Sequence, residues 1–383
     1  MHYTTAGESH GKALVSVVSD VPAGIRLDSH RIDADLARRQ KGYGRGGRMA
    51  IESDRAVILS GVRFGRTIGS PVAMTIGNRD WDNWTDVMAT SGDGARAAKV
   101  TSPRPGHADL AGVLRNNTDD VRDVLERASA RETAARVAAG AVAKALLGHV
   151  GVGVASFVVR IGDVALDSEP EPEAVDFEAA EVSDVSCPDP VVSARMRDAI
   201  DAARSAGESL GGVFVVAATG LVPGLGGYAE ASQRLDARLG AAVLSIPAIK
   251  GVEFGDGFAA AARVGSAVHD PILFEPGRGI VRPSNHAGGL EGGMTNGQTL
   301  VVRAAMKPIP TLMRPLASVD LATGEPVDAA KERSDVCAVP AAAVVAEAEV
   351  AMVLADAYTQ AFGVRSVDDI LEALEAYRAR LPR

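Results

Sequence analysis

Cysteine is nearly absent: Cys187 and Cys337 are the only two in 383 residues. Two thiols in a chain this long do not make a disulfide framework, and neither falls in a CxxC or a cysteine–histidine cluster. A structural zinc site therefore has no support. No apolar run approaches membrane-spanning length without a charge or glycine interrupting it. The opening Met-His-Tyr-Thr-Thr-Ala lacks the basic and then apolar stretches of a secretory signal. These absences predict a soluble, cytoplasmic protein. A positive surplus is missing too, with 40 Lys plus Arg against 49 Asp plus Glu and a net charge of −9. Nucleic-acid binders usually carry the opposite sign, so nucleic acid is not an expected partner.

Several familiar catalytic signatures are also lacking. Without a G-x-S-x-G, Ser9-His10 is not a nucleophile elbow, which sets a serine hydrolase aside. There is no P-loop lysine–serine pair, and Gly42-x-Gly44-x-Gly46-Gly47 misses the dinucleotide-binding spacing and follows a helix rather than a first strand. Tandem repeats and linker-like composition breaks are missing as well. With 46% hydrophobic and 23% charged residues, the composition is that of an ordinary globular chain. One large α+β domain spanning 1–383 is expected rather than two modules.

What the chain does have is a dense basic loop, Lys41-Gly-Tyr-Gly-Arg-Gly-Gly-Arg48, preceded by Arg39 and running on into Met49-Ala-Ile-Glu52-Ser53-Asp54. Glycines let backbone approach a ligand, and guanidiniums present planar forks that fit phosphate and carboxylate oxygens. A solvated basic loop would read the same way. Two histidine motifs flank it, Gly7-Glu-Ser-His10-Gly11 and Arg104-Pro-Gly-His107-Ala-Asp109. Each is short enough to be a turn histidine. Together with the arginines they describe an anion site with acid–base chemistry attached.

The coarse reading places strands at 13–19, 55–60, 70–76, 152–161, 211–219 and 300–305. Helices are expected at 28–39, capped by Asp28 or Ser29, then through much of 118–150, at 191–206, at 234–245 and from Pro340 to about Phe362. Residues 78–109 carry both tryptophans, Trp81 and Trp84, with little periodicity, and read as a functional cover. The acidic, proline-bearing 168–189 stretch reads as exposed. The run from Ser284 to Gly297 is too rich in glycine for a packing element, which suggests close approach to a planar ligand. Ser129 at a helix start could meet a phosphate, and Asp335 could be a simple N-cap.

Taken together, the motifs at 7–11, 42–54, 104–109, 126–135, 248–253, 284–297, 306–311 and 333–340 closely resemble those of the chorismate synthase family. They occur in the family's order along almost the whole chain, while 163–201 resembles it less. The resemblance implies an anti 1,4-elimination of phosphate from 5-enolpyruvylshikimate 3-phosphate, requiring reduced FMN without net redox change. It implies a β-α-β sandwich with helices between antiparallel sheets, and a homotetramer. Carried over by position, it makes His10 the group that protonates or stabilises reduced flavin, His107 the assistant to departing phosphate, and Asp335 a carrier of the ring proton. Substrate would be held by Arg39, Arg45, Arg48, Arg104 and Arg131, and NADP is implied at Arg39 and Arg45. Flavin contacts are implied for Arg127, Ala128, Ser129, Pro247, Ala248, Gly293, Lys307, Pro308, Ile309, Pro310, Thr311 and Arg333.

No appended reductase segment is visible, so an external flavin reductase or NADPH used directly would supply the reducing equivalents. A substrate with two carboxylates and a phosphate also explains an arginine-rich loop in an acidic protein, because a buried anion needs paired donors. Two rivals remain at this point: a non-catalytic binder of FMN or a phosphorylated metabolite, and a nucleic-acid module clamping phosphates with residues 42–48.

Overall fold

Alternation organises the first layer. In Ala13–Ser19, every second residue (Leu14, Ser16, Val18) is buried, so the strand shows one face to the core. It pairs with His2–Ala6 on one side and Val72–Gly77 on the other, and Ala56–Ile58 closes the sheet beyond the latter. With these strands labelled β1 (His2–Ala6), β2 (Ala13–Ser19), β3 (Ala56–Ile58) and β4 (Val72–Gly77), the antiparallel order is β1-β2-β4-β3. The computed structural model describes residues 1–46, 53–94, 97–331 and 335–382.

The second sheet is antiparallel as well. Its strands are β5 (Gly153–Ile161), β6 (Val164–Ala165), β7 (Gly212–Thr219), β8 (Ile249–Phe254) and β9 (Leu300–Met306), in the order β8-β9-β7-β5-β6. Between the sheets lie α1 (Ser29–Gln40), α4 (Thr133–His149), α6 (Leu235–Leu244) and α7 (Val339–Phe362). Helix α4 packs on β2 and against α7, and α7 in turn packs on β5 and β7. The remaining labelled helices are α2 (Asp109–Asn116), α3 (Arg122–Ala128), α5 (Pro190–Ala206) and α8 (Val367–Ala379).

The sandwich closes because α4 and α7 are made of small residues. A helix that is apolar all round can only sit buried, and Ala and Val let two such helices come close. At their crossing, a Cβ added to Gly140 would stand 2.2 Å from Ala348 Cβ. Charged groups in this layer are paired. Glu347, fully buried on α7, accepts two hydrogen bonds from Arg38, one from Lys144 at 2.6 Å and one from the Ser156 hydroxyl at 2.6 Å. Burial alone would raise its carboxyl, but Lys144 and Arg38 hold it down at about 2.

The sandwich with helices between antiparallel sheets is the expected fold, and most expected elements stand within a residue or two of where periodicity put them. Asp28 caps α1 by accepting from His30 N at 2.9 Å. Two expectations are corrected. Residues 168–189 form a 3-10 turn and a short helix, Phe177–Val182, whose Ala180 lies buried against the outer face of the second sheet with Phe177 against Phe157. The acidic composition had hidden these few apolar positions. The glycine-rich 284–297 run is also a packing element. Gly288 meets the Gly255 backbone and Gly289 meets Thr299, approaches too close for any side chain. Strand β1, the hairpin Leu273–Glu275/Gly279–Val281 and helix α8 were not anticipated.

Candidate active site

His10 leaves the first sheet in the turn before β2 and meets α3. Its Nδ1 lies 2.9 and 3.0 Å from the two Glu126 oxygens, and its backbone N donates to Glu126 Oε2 at 2.9 Å. Trp84, from the long 78–109 segment, stacks on the imidazole with ring centroids 3.7 Å apart and planes at 21°. Of the segment expected to act as a cover, the Trp84 ring lies on the histidine. Arg122 donates to Glu126 Oε1 at 3.0 Å and stands 5.4 Å from the Trp84 ring centre. Burial pushes the Glu126 carboxyl up, but its bonds and charge interaction with His10 outweigh this and leave it below its ordinary value.

His107 is the second centre. Its Nδ1 meets Asp109 Oδ1, and Asp109 is fully buried at the start of α2. Arg104 closes the group from the other side. Its Nε donates to Asp109 Oδ2 at 2.8 Å, its backbone N to the same oxygen at 3.0 Å, and Nη1 to Thr311 Oγ1 at 3.2 Å. Against burial, the bonds from His107 and Arg104 hold Asp109 well below the usual carboxylate range. Gly106, at φ +79°, turns its carbonyl to Lys307 Nζ at 2.5 Å. The histidine motif and the 307–311 loop are thus tied together twice, by Arg104–Thr311 and by Lys307–Gly106.

The third element is an arginine cluster. Arg131 donates to Asp54 Oδ2 at 2.7 Å, and Arg39 Nη1 stands 3.6 Å from the same oxygen. Arg45 pairs with Asp335 Oδ2 at 2.8 Å, and Asp335 Oδ1 accepts from Gly46 N at 2.7 Å. Arg39 is 4% exposed; its Nε bonds Thr133 Oγ1 and its Nη2 bonds the Ala130 carbonyl, while Nη1 has no hydrogen-bond partner among the described residues. Burial, with Arg45 and Arg131 nearby and Asp54 opposing them, pushes Arg39 down to about 10. Gly44 makes this possible. At φ +84°, its added Cβ would lie 2.7 Å from Ile200 Cγ2, so only glycine lets the loop lie against α5 and Cys337. Arg48 and Arg333, and with them residues 47–52, lie outside the described residues.

The residues expected at flavin fall in separate places. Arg127 donates to the Gly7 and Thr5 carbonyls, which ties α3 to the His10 turn. Ala128 ends α3, and Ser129 caps the following 3-10 turn by accepting from Arg131 N. Pro247 and Ala248 follow α6, and Ala248 takes φ +69° and accepts from Lys307 N at 3.0 Å. Lys307, Pro308, Ile309, Pro310 and Thr311 continue from β9, with the Ile309 carbonyl accepting from Ser209. Gly293 bonds Leu235 N at the start of α6, about 15 Å along a ten-residue helix from Ala248.

Sequence reasoning missed Glu126, Arg122 and Asp54 as parts of this site. Asp54 stood in the run after the basic loop and could have been asked for as a counter-charge. Glu126 is 116 residues from His10, and no local pattern signals that pairing. Among the described residues no group of His, Cys, Asp or Glu could hold a metal ion, and no helix is long and apolar enough to cross a membrane.

Comparison with known proteins shows which family the chain belongs to. The family model for chorismate synthase matches residues 1–359. The chain is 55% identical to a chorismate synthase of Symbiobacterium thermophilum, with the whole of both chains covered. It is 57% identical to that of Rubrobacter xylanophilus, over 99% of this chain and 97% of that one. A crystal structure of chorismate synthase superposes with a TM-score of 0.81 at 41% identity, covering 100% of this chain and 98% of the other. With a family model over nearly the whole chain, relatives above 50% identity and a matching solved structure, the chain belongs to the chorismate synthase family and is a lyase of the shikimate pathway.

Proposed function

We propose that the His10, His107 and arginine centres together carry out an anti 1,4-elimination, in which 5-enolpyruvylshikimate 3-phosphate loses phosphate and a ring proton to give chorismate. The observation that carries this reading is the convergence of three buried guanidiniums, Arg39, Arg45 and Arg131, on Asp54 and Asp335. Arg39 Nη1 makes no hydrogen bond among the described residues, a donor that suits an anionic ligand.

Arg39, Arg45 and Arg131 would bind and orient the substrate carboxylates and phosphate. His107 would assist the departing phosphate from the side of its ring away from Asp109, and Arg104 would hold the His107–Asp109 pair in place. Asp335 would take up the ring proton at a carboxylate oxygen, releasing Arg45 to the substrate as it does so. Arg48 and Arg104 belong to the same substrate-binding reading.

Reduced FMN, when bound, supplies the electron density that helps expel phosphate with no net redox change. The donor set fits such a group: the Lys307 ammonium, the Arg127 guanidinium, the Ser129 hydroxyl and the bent Ala248 backbone suit a phosphorylated, polar-edged ring. Arg127, Ala128, Ser129, Pro247, Ala248, Gly293, the 307–311 loop and Arg333 would hold it, and His10 would hold or give a proton beside it. NADP at Arg39 and Arg45, a homotetramer, an external flavin reductase and a cytoplasmic location complete the proposal.

The test is an anaerobic mixture of protein, chemically reduced FMN and substrate. Chorismate and phosphate should appear in equal amounts, and not with oxidised FMN. Tight flavin binding without product would favour a non-catalytic binder instead.

A further inference from the structure

We propose that Glu126 is a positioning residue that fixes the tautomer of His10, keeping the ring hydrogen on Nδ1 and making Nε2 the atom that exchanges protons. The inference rests on the reading of His10 as an acid–base group. Four observations meet at this one side chain.

Both Glu126 oxygens lie within hydrogen-bond distance of His10 Nδ1, at 2.9 and 3.0 Å. An ionised carboxylate only accepts, so the nitrogen facing it must carry hydrogen whether the ring is neutral or charged. Arg122, donating to Oε1 at 3.0 Å, keeps that carboxylate in its anionic form. Trp84 lies flat on the ring at 3.7 Å, which holds the imidazole plane. The stack, however, is blind to which nitrogen points where. Glu126 breaks that symmetry, and it also anchors the turn through two backbone bonds, Ser9 N to its carbonyl and His10 N to Oε2, each at 2.9 Å.

The consequence is a defined proton path. When His10 acts as an acid, the Nε2–H bond breaks, the electron pair stays on nitrogen, and the neutral ring is left as the Nδ1–H tautomer. The charge that Glu126 faces drops by one, with no rearrangement around Nδ1. A ring free to choose would populate the Nε2–H form when neutral, which cannot accept a proton at that atom. Orientation of a catalytic histidine by a carboxylate acts in this way in hydrolytic triads.

Glu126→Gln separates this role from a merely structural one. Glutamine has the same shape and its oxygen can still accept from His10 N, with the Arg122 bond given up to the amide nitrogen, so the turn stays tied while the obligatory Nδ1–H is lost. The readout is the ¹⁵N resonances of His10 in histidine-labelled protein without cofactor, compared between parent and Glu126→Gln, together with kcat and KM in the reduced-flavin assay. With the ring brought to its neutral form by raising pH, the parent is expected to show the Nδ1–H tautomer, and the variant a mixed or Nε2–H ring. Its kcat should fall by at least about tenfold, bounded by the 10²–10⁴-fold worth of general acid–base catalysis, with KM little changed. Glu126→Asp, which keeps an anion, should recover the Nδ1–H tautomer.

An Nε2–H ring in the parent protein would overturn the proposal even if the variant failed to fold. So would a variant that keeps both the Nδ1–H ring and its kcat. Full activity in His10→Ala would remove the acid–base reading of His10 instead, and the ¹⁵N comparison would still decide what Glu126 does.

Discussion

Replacing Gly140 by alanine in the middle of α4 should destabilise the protein, although alanine is the better helix former. On propensity alone the change would gain about 1 kcal/mol. The geometry opposes it. The new Cβ would stand 2.2 Å from Ala348 Cβ, 2.5 Å from Ala348 Cα and 3.0 Å from its carbonyl oxygen. Carbon atoms rest at about 3.5–4.0 Å, and two of these three neighbours are helix backbone, which cannot rotate away. Helix α7 must therefore move back by more than about 1 Å along an interface made of small buried residues. Overpacking of this kind costs about 1–3 kcal/mol, and rigid neighbours put this case at the upper end. The expected net loss is about 2 kcal/mol, read as a lower urea midpoint with an unchanged slope. The effect should reach the site, because α4 follows Arg131 directly and α7 follows Asp335–Cys337. A rise in KM is expected alongside the stability loss. Adding Ala348→Gly removes the nearest clash but leaves the backbone of residue 348 in the way, so recovery should be partial. A Gly140→Ala protein as stable as its parent would refute the reasoning.

Asp109→Asn should cost about 3–5 kcal/mol in chemical denaturation, because it leaves the Arg104 guanidinium buried without its counter-charge; a loss below about 1 kcal/mol would mean that the group is solvated. Arg39→Gln should raise KM about ten- to a hundredfold, the worth of one charged hydrogen bond, while altering stability little, since relief of its burial cost and of repulsion from Arg45 and Arg131 offsets the lost Asp54 attraction and the bonds to Thr133 and Ala130; an unchanged KM would count against the cluster as the anion site. Glu347 is held near 2 in the folded protein against an ordinary 4.5. A depressed carboxyl stabilises above the unfolded value, so its contribution, on the order of 3 kcal/mol at 1.36 kcal/mol per unit, should be complete above about pH 4.5 and vanish as pH falls towards 2. Glu347→Gln should flatten acid unfolding in that window, and an unchanged acid limb would show that Lys144 and Arg38 do not act on it as the distances imply.

The sequence alone determined whatever depends on near neighbours in the chain. The alternation of Ala13–Ser19, the Asp28 cap, the proline opening α7 and the histidine between glycines are local matters of period, donor count and backbone freedom, and they stand where composition put them. The basic loop was legible as a cluster of guanidiniums in need of anionic partners for the same reason, and Arg45 meets Asp335. Tertiary structure alone decided which partners those groups have. That His10 belongs to Glu126, that Arg104 reaches Thr311, and that Arg39 and Arg131 share Asp54 follow from α3, the 307–311 loop and residue 54 being brought together from distant parts of the chain. The glycines of 284–297 show the same limit: the sequence announces close approach, and only the fold shows that what approaches is the chain's own backbone. Periodicity and propensity are set by residues a few positions apart, whereas charge pairing in a low-dielectric interior is set by distance in space, which the sequence does not record.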